Sequence, residues 1–325
     1  MKAIVKTAAV IAGLTFATEL APDASAQQAK NLSIVTGGTG GVYYPLGGGL
    51  ANMLSKYVPG WQATAEVTGG SVANLQLIGQ KKADIALVMA DAALDSQNGE
   101  DKFKGNKVPQ RLLAVLYPNH MHVVTVEGSG ITKMSDLNGK RVSTGSPGSA
   151  TEVMAFRVIE AAGLDRDKDM RRERLGVAES TNAIKDKKID AYFWVGGLPT
   201  AGVTDLAATP GTKLVLIDHD NVVGPMNQKY GELYAKARIP SGTYPGQTRD
   251  NPNATVWNLL VVHESTPDDV AYNIVKTIFE NLGEWAQVHG EARNVKPENQ
   301  KQTNSPIKWH PGAEKYFNEK KINIM

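Results

Sequence analysis

Three short runs of glycine, serine and threonine carry most of the chemistry this sequence offers. They are Thr36-Gly37-Gly38-Thr39-Gly40-Gly41-Val42-Tyr43-Tyr44, Thr68-Gly69-Gly70-Ser71 followed by Asn74, and Thr144-Gly145-Ser146-Pro147-Gly148-Ser149-Ala150-Thr151. Each follows an apolar run and precedes residues at helical spacing. A helix start leaves backbone N–H groups without an intrahelical acceptor, at the positive end of the helix dipole. Each run is therefore a ready anion site, and a carboxylate placed there gains charge-assisted bonds from N–H and hydroxyl donors. A single such turn is equally a tight turn or an N-cap; Ser71 or Thr68 could simply cap a helix. Three of them favour a clamp around an anion. Tyr43 and Tyr44 add hydroxyls and ring faces to the first rim. Asp91 is a candidate partner for a ligand ammonium, and Trp194 a candidate cleft wall.

Other chemistries lack their residues. No Gly-Lys-Ser/Thr follows the first run, so it is not a P-loop, and Tyr43 stands where a dinucleotide fingerprint needs its third glycine. There is no Gly-x-Ser-x-Gly elbow and no His-Glu-x-x-His, and the absence of cysteine removes thiol nucleophiles, disulfides and thiolate metal sites. His120 and His122 supply only two metal ligands and read as one surface and one cleft-lining or core histidine. Hydrolysis through Ser146 or Ser149 would need a histidine and a carboxylate that spacing alone does not place. No enzyme, cofactor or metal is expected. Thirty-five basic against thirty-three acidic residues give a charge of +2, too little for an electrostatic commitment to nucleic acid or an anionic membrane. The run Arg171-Arg172-Glu173-Arg174 reads as solvated surface.

The elements that would position these turns alternate between apolar strands and amphipathic helices, the pattern of an α/β protein. Strands are predicted at 32–36, 63–67, 84–89, 112–117, 122–126, 141–144, 189–195, 213–217 and 255–263, with the last long enough to cross between lobes. Helices are predicted at 44–57, 72–80, from Ser149 to Gly163, and from Thr266. Gly47, Gly48 and Gly49 each cost a helix about 1 kcal/mol, so close packing against a neighbour is expected there. Ser149-Ala150-Thr151-Glu152 fits a capping box. Lys2 and Lys6, the apolar run from Thr7 to Ala17 and Ala24-Ser25-Ala26 together predict a cleaved signal peptide over residues 1–26 and a periplasmic mature protein. Two lobes are expected, one of residues 27–121 and 259–325 and one of residues 122–258, with a cleft between them.

In order, these segments resemble the TAXI family of TRAP-transporter solute receptors over essentially the whole mature chain. The matching pieces are Gly-Gly-Thr-Gly-Gly-Val-Tyr-Tyr at 37–44, Thr-Gly-Gly-Ser-Val-Ala-Asn at 68–74 and Lys-Lys-Ala-Asp-Ile-Ala at 81–86. They continue with Asp-Leu-Asn-Gly-Lys-Arg-Val at 136–142, Gly-Ser-Pro-Gly-Ser-Ala-Thr-Glu at 145–152 and Ile-Asp-Ala-Tyr-Phe at 189–193. Ile-Pro-Ser-Gly-Thr-Tyr-Pro-Gly-Gln at 239–247 and His310-Pro311-Gly312-Ala313 complete the set. The resemblance implies a type II periplasmic-binding-protein fold whose two α/β lobes close through a hinge on a carboxylate ligand, glutamate or a related dicarboxylate. It also implies a fused TRAP permease driven by an ion gradient as partner. The protein itself is expected to be a monomer. A periplasmic receptor serving a sensor, or a periplasmic enzyme, is the alternative. The ligand contacts that the resemblance implies are Gly38, Thr39, Gly40, Tyr43, Ser71, Asn74, Ser146, Ser149 and Thr151; Thr68 is a candidate from the second turn itself. Tyr117-Pro118-Asn119 departs from the family, where many members have Tyr-Pro-Glu. That change removes a carboxylate and favours a ligand without an ammonium group.

Overall fold

The computed structural model describes residues 30–325, and the expected signal peptide lies outside them. Ten strands form one sheet: β1 (Lys30–Val35), β2 (Trp61–Glu66), β3 (Ile85–Met89), β4 (Gln110–Val126), β5 (Arg141–Ser143), β6 (Arg171–Glu173), β7 (Ala191–Gly196), β8 (Leu214–Leu216), β9 (Ala235–Ile239) and β10 (Asn251–His263). Its order is β2-β1-β3-β10-β4-β7-β5-β6, with β8 beside β4 and β9 beside β10. The helices are α1 (Tyr43–Tyr57), α2 (Ser71–Gly79), α3 (Ala90–Asn98), α4 (Ala150–Ala161), α5 (Val177–Lys185), α6 (Ala201–Ala207), α7 (Val223–Tyr230), α8 (Asp268–Glu280), α9 (Leu282–Val288) and α10 (Pro311–Glu319).

The sheet has two parallel ends joined by two long antiparallel strands. β1 pairs parallel with β2 and β3 at one end, and β5 pairs parallel with β6 and β7 at the other. β4 and β10 run through both halves. The residues of β10 from Asn258 to Val262 face β3, and those from Asn251 to Thr255 face β9. The first half of β4 faces β10, and its residues His120 to Val124 face β7. The breaks of the expected two-lobe division fall inside these two strands.

Two strands were expected where β4 is continuous over 17 residues. Pro118 lies opposite Trp257, at the edge of a register shift between Trp257 and Leu259. A bulge absorbs the ladder bond that proline cannot donate, so the strand passes through. β3 is buried along its whole length, as strands covered on both faces are.

The glycines of α1 divide. A Cβ on Gly47 would stand 2.4 Å from the Thr36 methyl, and one on Gly49 would stand 3.0 Å from the Trp285 ring, whereas Gly48 faces open space. Close approach to β1 and α9 therefore accounts for two of the three. The capping box forms by half: Ser149 Oγ accepts from Glu152 N–H at 3.1 Å. The Glu152 carboxylate does not return to Ser149, because Arg174 Nε holds it at 2.6 Å. Nor does Thr266 cap α8, whose N-cap position is Pro267 with no side-chain bond.

Candidate ligand-binding site

The three small-residue runs converge on one cavity of about 380 Å³ between the two halves of the sheet. A fourth segment, Arg174 to Glu179, completes its wall. Each run ends as a helix begins, so the cavity receives four helix starts. Their N-cap residues are Val42 for α1, Gly70 for α2, Ser149 for α4 and Gly176 for α5, and all four line it. Only α4 carries a side-chain cap; the starts of α1, α2 and α5 have none. Apart from Ala73 N–H of α2, which donates to Gly148 O, no backbone or side-chain acceptor among the described residues takes their first-turn N–H groups, which are left for whatever fills the cavity. The start of α3 at Met89 also borders it but holds its own anion, since Asp91 Oδ1 accepts from Ala92 N–H at 2.8 Å.

Of the residues singled out in the sequence, Gly38, Thr39, Gly40, Tyr43, Thr68, Ser71, Ser146, Ser149, Thr151 and Trp194 line the cavity. Asn74 and Asp91 do not. Asn74 is fully buried: its Nδ2 donates to Thr36 O at 2.7 Å and Leu87 O at 2.8 Å, and its Oδ1 accepts from Thr68 at 2.6 Å. It spends its amide tying the first two loops to β3. Asp91, also fully buried, accepts from the Tyr234 hydroxyl at 3.0 Å and lies 3.9 Å from Arg157. That carboxylate belongs to a core ion cluster with Asp95 rather than to a ligand ammonium.

The hydroxyls in the lining are largely occupied. Ser71 Oγ accepts from Met89 N–H at 3.1 Å, Ser149 Oγ donates to Ser146 O at 2.7 Å, and Ser146 Oγ donates to Gly69 O at 3.1 Å. Neither Ser146 nor Ser149 meets a histidine. Three bonds bridge the two halves around the cavity: Ser146 to Gly69, Ala73 N–H to Gly148 O at 3.0 Å, and Gly202 N–H to Gly40 O at 3.2 Å. Gly41 completes the closure, since a Cβ there would stand 2.9 Å from the Trp194 ring.

Charge at the cavity is confined to Arg174 and Glu179, both exposed. Arg174 is not the free surface residue expected from its neighbours. Its guanidinium grips both oxygens of Glu152, at 2.6 and 3.1 Å, and that carboxylate is buried. Among the described residues the lining thus holds no unpaired cation.

The profile of the NMT1-like family matches residues 34–320. The chain belongs to the NMT1-like family. Among solved structures, a protein of Bordetella bronchiseptica is 15% identical, with 90% of this chain and 98% of that one covered and a TM-score of 0.54. A binding protein component of an ABC phosphonate transporter from Pseudomonas aeruginosa is 13% identical, covering 83% and 81%, at a TM-score of 0.53. The ligand-binding component of an ABC-type import system from Staphylococcus aureus, solved with zinc bound, is 10% identical, covering 88% and 98%, at 0.50. The mixed α/β fold of this NMT1-like chain is the one periplasmic binding proteins share.

Tyr117 and Asn119, marked in the sequence only as a departure from the family's Tyr-Pro-Glu, reach the NMT1-like cavity from β4, at the join of the two halves; Leu175 to Glu179, which went unmarked, reach it from the start of α5. Asn258 on β10 stands behind them, its Oδ1 accepting from the Tyr43 hydroxyl and, at 2.8 Å, from Asn119 Nδ2. Burial pushes the Tyr43 and Tyr117 phenols well above their ordinary range, so both remain protonated. The two β4 histidines are both buried, against the expectation that one lies on the surface. His122 donates from Nδ1 to His120 O at 2.9 Å and accepts at Nε2 from the Tyr244 hydroxyl at 2.7 Å. Burial, and His120 beside it, lower its pKa to about 3 and keep it neutral. Among the described residues no three His, Asp or Glu side chains gather as a metal site, and no helix is long and apolar enough to cross a membrane.

Proposed function

We propose that this protein is an exported solute-binding protein that captures a small carboxylate between two lobes and delivers it to a TRAP-type permease driven by an ion gradient. The observation that carries this is the meeting of four helix starts, three of them uncapped, at one cavity without a free cation. Partial positive charge fixed in backbone N–H groups selects an anion without the desolvation cost of a buried ammonium or guanidinium. The cavity's volume suits a small solute rather than a polymer. The two sheet halves act as lobes hinged where β4 and β10 cross, and closure gives the permease a shape to read. The TAXI-type resemblance supports the permease class, and the signal peptide supports a periplasmic location.

The test is a thermal-shift screen of protein stripped of carried ligand by unfolding and refolding, against amino acids, dicarboxylates, 2-oxo acids and sugars. A ligand at a hundredfold excess over its Kd stabilises by about 2.7 kcal/mol. Shifts confined to carboxylates are expected, and a response only to sugars would refute the anion clamp. Uptake into vesicles carrying the permease, dependent on both the protein and an imposed ion gradient, tests delivery.

A further inference from the structure

The side chains with surface open to the cavity are mainly apolar. Val67, at 56% exposure, is the most exposed large apolar side chain among the described residues short of the C-terminal Met325, and it stands in the lining. Leu175 and Ala178 from the start of α5, Pro147 from the third loop and Trp194 from β7 line the same cavity, and none of them is fully buried. One exposed valine is ordinary surface. Five apolar side chains gathered around a cavity of about 380 Å³ make a wall that an apolar occupant can cover.

The polar side chains of the lining are largely engaged elsewhere. Besides the three serines, Thr68 Oγ1 donates to Asn74 Oδ1 at 2.6 Å, and the Tyr43 hydroxyl is held by Asn258. Trp194 Nε1 donates to Thr200 Oγ1 at 3.0 Å, which leaves the ring of that residue to the cavity.

Charge points the same way. Arg174 is gripped by Glu152 through Nε and Nη2. Glu179, the other charged lining residue, is acidic and lies against the start of α5, where a Cβ on Gly176 would stand 2.5 Å from its Oε2. A second carboxylate on the ligand would leave water to meet an acidic rim without an unpaired cation, so its desolvation would go uncompensated. An alkyl or aryl group in the same place covers apolar wall instead.

We infer that the ligand is a singly charged acid with an apolar body, its carboxylate on the helix starts and its body on Val67, Leu175, Ala178 and the Trp194 ring. This rests on the carboxylate reading above and narrows it away from glutamate and the dicarboxylates.

Isothermal titration of the stripped protein with shape-matched pairs tests it: 4-methylpentanoate against succinate, 4-methyl-2-oxopentanoate against oxaloacetate, and leucine against aspartate. Each pair exchanges a terminal isopropyl group for a carboxylate of similar shape, and 2-oxoglutarate and glutamate serve as longer diacids. In whichever pair binds, the apolar member is expected to bind at least about tenfold tighter than any of the diacids. Val67→Lys puts a free ammonium in the lining at a side chain more than half exposed, so the variant should fold normally. Its preference for the apolar member should fall about three- to fivefold through tighter diacid binding. A smaller wild-type preference, a preference for a diacid, or an unchanged preference in Val67→Lys would overturn this inference and leave the anion clamp standing. Binding of no carboxylate would overturn both.

Discussion

Replacing Gly69 by alanine should uncouple binding from folding. Gly69 lies on the loop before α2, outside the left-handed region of φ, so alanine fits its own backbone. Across the cavity, however, the added Cβ would stand 2.4 Å from the Pro147 carbonyl oxygen, where ordinary contact begins at 3.4 Å. The obstacle is backbone rather than a flexible side chain, so the halves must part by about 1 Å at that point. Parting stretches Ser146 Oγ to Gly69 O from 3.1 Å and Ala73 N–H to Gly148 O from 3.0 Å, past useful length. Two net hydrogen bonds at about 1 kcal/mol each give about 2 kcal/mol, or a roughly thirtyfold rise in Kd. Titration calorimetry with a carboxylate that binds the wild type reads this directly, and small-angle scattering should show a weaker contraction on saturation. The melting temperature of the ligand-free variant should match the wild type. Gly48→Ala is the control, because a Cβ there meets nothing within 4 Å; affinity should be unchanged and stability up by as much as about 1 kcal/mol. Wild-type affinity in Gly69→Ala would show that the bridging contacts play no part in the bound state. A large fall in ligand-free melting temperature would show that the halves are joined without ligand, refuting the hinge.

Three further outcomes are expected. Asn74→Ala should cost about 2–4 kcal/mol in urea unfolding, because it removes three buried hydrogen bonds, one from the Thr68 hydroxyl and one each to the Thr36 and Leu87 carbonyls. Glu152→Gln should cost about 3 kcal/mol, since the buried carboxylate holds Arg174, Arg172 and Lys102 at 2.6, 3.4 and 3.6 Å. A loss below about 1 kcal/mol would show those cations to be independently solvated. Burial lowers the pKa of His219 to about 4, below its ordinary 6.5. The unfolded chain thus binds the extra proton between these values, so the stability His219 supports is intact above pH 6.5 and declines as pH falls towards 4. At pH 5 that is about 2 kcal/mol, and His219→Gln should flatten this part of the pH profile of urea midpoints.

The loops that line the cavity were legible in the sequence because a strand, a small-residue turn and a helix are contiguous, and local rules suffice to read them. Gly38, Ser71 and Ser149 could be placed at the cavity for that reason. What was not legible depends on distant pairing. Asn119 and Tyr117 matter because Pro118 lets β4 continue past Trp257, and proline read locally as a break between two strands. Asn74 and Asp91 looked like ligand contacts by position, but polar side chains beside a cleft are also what a core uses to satisfy loop carbonyls and buried guanidinium groups. Arg174 looked solvated among its charged neighbours; its partner, Glu152, is a helix residue whose local signature predicted a capping box instead. α3 and α5 were not predicted at all, because Ala90–Asn98 and Val177–Lys185 are short and mostly small or polar.

Under the proposed function, the absence of a free cation among the described lining residues has a consequence, because such a protein must also give its ligand up. A guanidinium buried in an empty cleft would lack a partner until ligand arrived, and the resulting penalty would either destabilise the open protein or hold the ligand too firmly to hand on. Backbone N–H groups at helix starts avoid both. They are already ordered by the helices they open, their partial charges are permanent, and in an open cleft water satisfies them at small cost. Here α1 and α2 rise from one half of the sheet and α4 and α5 from the other, so the four starts surround the cavity only when the halves meet. Each half alone offers two. Affinity then resides in closure rather than in any one residue, so single hydroxyl deletions at Ser146 or Thr151 should weaken binding far less than the steric wedge at Gly69. If Ser146→Ala raised Kd as much as Gly69→Ala, the side chains rather than the assembled helix starts would be the source of affinity, and this account of capture and release would fail.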